Sequence, residues 1–471
     1  MKSVSLHTLG CKLNYSETST IAKEFSSKGY QLRNFGETSD IFVLNTCSVT
    51  ENADKECRQI VRSVIRNNPR TYVIVTGCYA QLQPHQIADI EGVDLVLGIN
   101  EKFRLFDYID NLDKTGLSCI HHSQVNEINK FDEAFSADTD SRTRAFLKIQ
   151  DGCNYKCSFC TIPLARGKSR SLELSKVIDN AKRIIDSGYR EIVLTGVNTG
   201  DYEFGIGDFG FGNSKFNITN SKSDVSNSNS IVLNSNSIVL NSKSEIQNSR
   251  LIDVLYELDK LDIERIRISS IEPNLLNDEI ISLAKSSDKF CSHFHIPLQS
   301  GDNEILRLMR RRYDREYYTD LIFKLNQEIK DVGIGVDVIV GFPGESEKHF
   351  ENTYDFLESL QISYLHVFSY SERSNTDAVK LPGKVDVRDR KRRSELLRSL
   401  SNKKRFDFYS RHTGTAQKVL FESIKNDGYI EGFSENYIRA KTKVIPGLEN
   451  KVKEVIFTYT DGIKPVMSEL I

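Results

Sequence analysis

Cys153, Cys157 and Cys160 form a C-x3-C-x2-C group directly after the apolar segment Arg144 to Ile149, which reads as a strand. Thiolates are soft ligands suited to iron–sulfur clusters or zinc. Zinc normally takes four protein ligands, and no histidine lies near this group, so a zinc knuckle would need a remote fourth ligand. A cubane cluster held by three cysteines instead leaves one iron open to a substrate or cofactor. Tyr155 and Phe159 stand between the sulfurs and would shield a cluster from water. These thiolates are therefore expected to be the catalytic group, with the zinc knuckle as the competing reading.

A second set is scattered in sequence. Cys11, Cys47 and Cys78 sit in LGCKLN, LNTCSVT and VTGCYA, each just after a segment that reads as a strand. In a parallel sheet the carboxyl ends of strands lie on one side, so three distant thiolates can converge. That placement points to a second cluster, the alternative being three partly buried cysteines in a small sheet. Cys57, Cys119 and Cys291 are read as non-ligands. Nine cysteines, an odd number unevenly spread over 471 residues, fit a secreted disulfide scaffold poorly and fit a cytosolic chain with thiolate ligands better.

The elements that must position these groups follow from periodicity. Strands are expected at Val4 to Leu9, Ile41 to Leu44, Tyr72 to Thr76 and Val93 to Leu97, with helices at Glu17 to Lys28 and Glu51 to Asn67. This alternation gives a parallel α/β domain over residues 1–118, followed by a polar linker at 119–141. Residues 142–370 repeat the βα unit six times, with strands near 144, 191, 265, 293, 335 and 364, as in a partial (β/α)6 barrel. A stretch at 205–249, rich in Asn and Ser with NSNSIVL repeated, interrupts it and reads as a disordered surface insertion. Residues 371–410 carry a basic connecting helix, and residues 411–471 alternate like a small β-barrel. The fold class is α/β with that terminal barrel.

CNYKCSFC resembles the cluster motif of the radical S-adenosylmethionine enzymes. In that family three cysteines hold a [4Fe–4S] cluster whose open iron chelates S-adenosylmethionine. One-electron reduction cleaves the cofactor to methionine and a 5′-deoxyadenosyl radical. LTGVN, RISSIEP, HIPLQSG and VDVIVGFPGE follow in the family's order, each at a strand end. The acidic residue common in the wider family is absent from LTGVN. The resemblance implies cofactor contacts from Tyr155, Phe159, Gly196, Asn198, Ser269, Ser270, Glu272, Gln299, Val340 and Gly341. Together with Cys11, Cys47, Cys78 and the terminal barrel, the chain resembles the methylthiotransferases, outside the Asn/Ser insertion. In them the N-terminal domain carries an auxiliary [4Fe–4S] cluster and the last domain is an RNA-binding TRAM barrel.

Within that family, LTGVNTG and RRRY more closely resemble the enzymes acting on N6-threonylcarbamoyladenosine at tRNA position 37. The implied reaction adds a methylthio group to adenine C2. The implied partners are a tRNA anticodon stem-loop, a low-potential electron donor and a sulfur donor. Isopentenyladenosine-37 and a ribosomal protein are the alternative substrates. A non-catalytic iron–sulfur RNA-binding protein is the alternative of another class.

Charge bounds the partners. Lys plus Arg total 63 against 65 Asp plus Glu, so the chain is not basic as a whole and RNA binding needs a local basic surface. Arg388 to Arg411 is such a segment, and Arg166, Lys168, Arg170, Arg310, Arg311, Arg312, Arg392 and Arg393 are the phosphate-contact candidates. Tyr429, Phe433 and Tyr437 are candidates for stacking on bases, equally readable as core. There is no apolar run of 18 residues and no signal-peptide pattern, which gives a cytoplasmic expectation with no membrane partner.

Overall fold

The structure is a computed structural model. It describes residues 2–48, 51–109, 114, 116–136, 143–205, 249–424, 428–462 and 464–471. The expected disordered insertion lies, apart from its end residues, outside the described residues. Its described flanks, Glu203–Phe204 and Ser249–Arg250, pair antiparallel.

The N-terminal sheet contains β1 (Ser3–Thr8), β2 (Gln31–Arg33), β3 (Ile41–Thr46), β4 (Tyr72–Gly77), β5 (Leu95–Leu97) and β6 (Cys119–His121). Their order is β2-β1-β3-β4-β5-β6, and every pairing is parallel. β3 and β4 are buried at every residue, as strands covered on both faces must be. Ile41 and Val43 pack with Phe25 of α1 (Lys12–Ser27), whereas Phe42 and Leu44 pack with Cys57 and Val61 of α2 (Glu51–Asn67). Cys57 is thus a core side chain. β6 extends the sheet into residues that had read as linker, because an exposed three-residue edge strand has no hydrophobic pattern to announce it.

The central strands are β7 (Arg144–Lys148), β8 (Glu191–Thr195), β9 (Arg265–Ile268), β10 (His293–His295), β11 (Gly333–Val340) and β12 (Tyr364–Ser369). They form two parallel three-stranded sheets, β9-β8-β7 and β10-β11-β12, joined by bridges Ile266–Phe290 and Ser270–His295. The result is an open barrel with β7 and β12 at its edges. Alternate residues such as Ile192, Leu194, Ile266, Phe294, Val336 and Val338 share one core with the outer helices. The intervening residues face the lumen, and besides Phe146 and Val193 many of them are polar: Arg144, Lys148, Glu191, Arg267, His293, His295, Asp337, Tyr364 and His366.

The C-terminal barrel closes on itself through β13 (Ala416–Ile424), β14 (Tyr429–Ser434), β15 (Arg439–Lys443), β16 (Lys451–Tyr459) and β17 (Val466–Leu470), in the order β13-β14-β15-β17-β16. It docks against the amino ends of the central strands. Arg265 donates to the carbonyls of Phe433 (2.9 Å) and Lys418 (2.8 Å), and Arg267 donates to that of Glu435 (3.0 Å). Tyr437, at φ +70°, inserts its ring 4.5 Å from that of His293 and 4.8 Å from that of Phe433. Phe433 and Tyr437 therefore plug the bottom of the central barrel, which removes them as base-stacking candidates. Tyr429 is half-buried with Lys441 over its ring.

Candidate functional site

The loop after β7 carries Cys153, Cys157 and Cys160 and ends in a short helix, α4 (Ile162–Arg166). The Tyr155 amide donates to Cys153 Sγ (3.4 Å), and Arg311 Nη1 donates to Cys157 Sγ (3.2 Å). Burial pushes the Cys153 and Cys160 thiols up to about 12. Such thiols stay protonated near neutral pH unless a cation displaces the proton, which a coordinated metal does outright. All nine cysteines are free of disulfides. Three half-buried thiols on one loop, with N–H groups aimed at two of the sulfurs, fit an iron–sulfur cluster.

The second set meets at the carboxyl edge of three neighbouring strands. Cys11 caps α1 directly beyond β1, Cys47 follows β3, and Cys78 opens α3 (Cys78–Leu82) directly beyond β4. Registers Thr8–Asn45 and Asn45–Thr76 place those strand ends side by side, about 4.8 Å apart. Gly10, at φ +101°, lies so close that a Cβ there would sit 2.6 Å from Cys47 Cβ. Asn14 fastens the loops by donating to the carbonyls of Leu9 (2.9 Å) and Thr46 (3.0 Å). These thiols too fit a cluster held by three strand ends.

The elements that carry the two sets pack on each other. Cys78 of α3 shares an apolar cluster with Ala165 of α4, five residues beyond Cys160. Beside it lies a buried charge network. Glu17 of α1 is ion-paired with Arg166 (2.9 Å), Lys102 (2.6 Å) and Lys148 (3.1 Å), and Arg166 also reaches Asp151 (2.9 Å) and the Asn14 side chain (2.7 Å). Burial alone would raise the Glu17 carboxyl; the three cations outweigh it and hold the group well below the ordinary carboxylate range. No sequence motif announced this network, since its members are far apart in the chain. Only the unusual placing of charges within apolar runs hinted at it.

The cofactor candidates converge at the carboxyl ends of the central strands. Asn198 Oδ1 accepts from the Glu272 amide (3.4 Å), its side-chain Nδ2 is buried without a partner among the described residues, and Thr199 Oγ1 donates to the Ser270 carbonyl (2.8 Å). An orphaned buried donor beside the cysteine loop is what a polar ligand would satisfy. Tyr155 pairs with Asn274, Glu272 pairs with Arg311, and Ser269 is buried beyond β9. Gly196 lies against Gln150.

Gln299 adopts φ +73° and, with Phe159, Cys160, Asp337, Ile339 and Tyr370, lines a cavity of about 180 Å³. Strain of this kind persists where surrounding structure enforces it. The Val340 carbonyl accepts from Tyr370, and the Gly341 amide donates to Glu345 (2.8 Å), so both backbone groups already have protein partners. Sequence reasoning missed Arg311 as a neighbour of Cys157, and it missed Asp201, whose carboxyl is raised by burial beside the loop. It also missed the lumen trio His295, Asp337 and His366, whose ligand atoms lie within 4.8 Å of one another. Alternation along VDVIV and YLHVF could have exposed the last of these.

Three arginines expected to contact RNA do not reach solvent. Arg166 is 1% exposed in the Glu17 network. Arg311 is spent on Glu272 and Cys157, and Arg393 is buried against Glu345 (2.6 Å). Arg170 is held by Asp151 and the main-chain carbonyls of Lys130, Arg166 and Lys168. The basic helix α5 (Val387–Arg411) thus uses its first turns to clamp the barrel, with Arg390 also bound to Glu372 (2.7 Å). Lys168, Arg310, Arg312 and Arg392 remain exposed, although Arg310 and Arg392 pair with Asp377 and Glu347. Among the described residues, no helix is long and apolar enough to cross a membrane.

Comparison with known proteins agrees with this geometry. Residues 147–357 match the radical SAM superfamily, and residues 3–98 match the uncharacterized protein family UPF0004. The chain is 36% identical, over 97% of its length and 93% of the relative's, to threonylcarbamoyladenosine tRNA methylthiotransferase MtaB of Bacillus subtilis (strain 168). It is 29% identical, over 92% of its length and 91% of the relative's, to tRNA-2-methylthio-N(6)-dimethylallyladenosine synthase of Endomicrobium trichonymphae. In fold it is similar to the radical S-adenosylmethionine methyltransferase TsrM of Kitasatospora setae, with a TM-score of 0.51, 13% identity, and 78% of this chain and 73% of that one covered. This sets aside a zinc knuckle and a non-catalytic RNA-binding protein, and it brings S-adenosylmethionine and a [4Fe–4S] cluster as cofactors. The chain belongs to the radical S-adenosylmethionine tRNA methylthiotransferases.

Proposed function

We propose that the enzyme adds a methylthio group to C2 of N6-threonylcarbamoyladenosine at position 37 of tRNA, entered through the anticodon stem-loop. The observation that supports this reading is the packing of Cys78, on α3, against Ala165 of α4, the helix that directly follows Cys153, Cys157 and Cys160. Held by Cys153, Cys157 and Cys160, a [4Fe–4S] cluster with S-adenosylmethionine supplies radical chemistry equal to an unactivated aromatic C–H. Cys11, Cys47 and Cys78 would hold a second [4Fe–4S] cluster, the site of sulfur transfer.

The chain's own residues do the positioning. Arg311 and the Tyr155 amide donate to sulfurs of the first group, which tunes a metal centre through its outer shell. Asn198, Ser269, Ser270, Glu272 and Gln299 offer polar contacts to the sulfonium cofactor. Packing two centres at one mouth makes transfer between them intramolecular, a proximity advantage. A low-potential electron donor and a sulfur donor must come from outside the chain. The setting is the cytoplasm, where tRNA is modified.

Reconstituted enzyme, incubated anaerobically with reductant and S-adenosylmethionine, should convert threonylcarbamoyladenosine in an anticodon stem-loop to its 2-methylthio form, read by mass spectrometry of digested nucleosides. A dimethylallyladenosine stem-loop should give less product. Preference for the dimethylallyl substrate, or product on a ribosomal protein alone, would overturn the reading.

A further inference from the structure

Among the described residues, one ammonium group facing the central lumen lacks an ion-pair partner. Helix α1 lies along the lumen side of β7: Tyr15 meets Phe146 edge-on at 5.5 Å, and Glu17 reaches Lys148. Lys12 stands three residues before Tyr15, on the same helical face, in the first turn of α1. It is half-buried, and its electrostatic neighbours are Tyr437, Arg144, Arg267 and Glu191, all at the lower lumen.

The other lumen charges are paired. Arg144 binds Glu422 (2.6 Å), Arg267 binds Glu191 (2.8 Å), Lys148 binds Glu17 and Asp151, and His295 binds Asp337 (2.7 Å). Among the described residues Lys12 has neither an ion pair nor a side-chain hydrogen bond. Tyr437 registers the surplus: burial would raise its phenol, yet Lys12, Arg144 and Arg267 hold it below its ordinary value. A partly dehydrated, unpaired ammonium is unfavourable unless an anion joins it.

We propose that Lys12 is a specificity-determining residue that receives the carboxylate of the substrate base's N6 side group. This rests on the substrate reading above. A threonylcarbamoyl group ends in a carboxylate, whereas a dimethylallyl group is hydrocarbon and would leave Lys12 uncompensated, a penalty that separates the two substrates. Position also favours it. Lys12 adjoins Cys11, and on adenine C2 and C6, the carbon that bears the N6 group, flank the same ring nitrogen. A side group anchored at Lys12 therefore holds the base inside the lumen, on the side of α1 that begins at Cys11, instead of in solvent.

The test compares two anticodon stem-loops, one carrying threonylcarbamoyladenosine and one carrying its methyl ester. The readout is the ratio of their kcat/KM values, and of their Kd values by direct binding, which needs no turnover. Wild-type enzyme should favour the carboxylate by about tenfold to a hundredfold, the range of a charge-assisted contact. K12M should bring the ratio close to one, and K12R should restore most of it. A general folding defect would lower both substrates alike and leave the ratio untouched. If K12M keeps the wild-type ratio while wild-type enzyme makes the threonylcarbamoyl product, this inference alone fails. If wild-type enzyme makes no such product, the substrate reading fails with it.

Discussion

Cys157→Ala is expected to reduce 5′-deoxyadenosine release and methylthio product to the level seen without enzyme. Cys157 lies in the middle of the loop between β7 and α4, and its sulfur accepts from Arg311. With two thiolates left, the loop cannot hold a cubane with a single vacant position. The loss is therefore all or none, because the ligands act as a unit. Arg311→Ala should do less, about 10-fold to 100-fold in rate, since it removes an outer-shell partner and leaves the ligands in place. Liquid chromatography of the reduced, S-adenosylmethionine-fed protein reads both variants. Release by Cys157→Ala at wild-type rate would mean that the cofactor is cleaved elsewhere.

Glu17→Ala is expected to be the most destabilising single change outside the apolar cores. Glu17 is fully buried and is the shared anion of Arg166, Lys102 and Lys148, which come from three separate segments. Asp151 alone would then face the three cations. Leaving buried charge uncompensated costs about 3–5 kcal/mol, far above the value of an exposed pair. The cost falls on the seam between the N-terminal sheet and the central barrel, so the two cysteine groups should also lose their register. A guanidinium denaturation midpoint displaced downward, together with lower methylthio yield, is the expected outcome. An unchanged midpoint would show that the network is not what joins the two domains.

The sequence was most legible where a pattern is short and local. The C-x3-C-x2-C spacing marked its loop, and doubly buried runs such as Ile41–Thr46 marked their strands. Cys11, Cys47 and Cys78 could be linked because each follows such a run, and parallel strands end on one side. What stayed hidden depends on which surfaces meet. Arg166, Arg311 and Arg393 read as free cations because their carboxylate partners lie at residues 17, 272 and 345. Phe433 and Tyr437 read as possible base platforms because docking of one barrel under another leaves no periodic trace. Lys12 sat inside a recognised motif, but its lack of an ion-pair partner among the described residues is a property of the assembled lumen.

In the proposed reaction two cysteine groups divide the labour, one opening the cofactor and the other delivering sulfur. An anaerobic assay of Cys47→Ala with both products read from one reaction tests it most directly. The expected result is that 5′-deoxyadenosine is still released while no methylthio nucleoside forms. Full methylthio product from Cys47→Ala would contradict it.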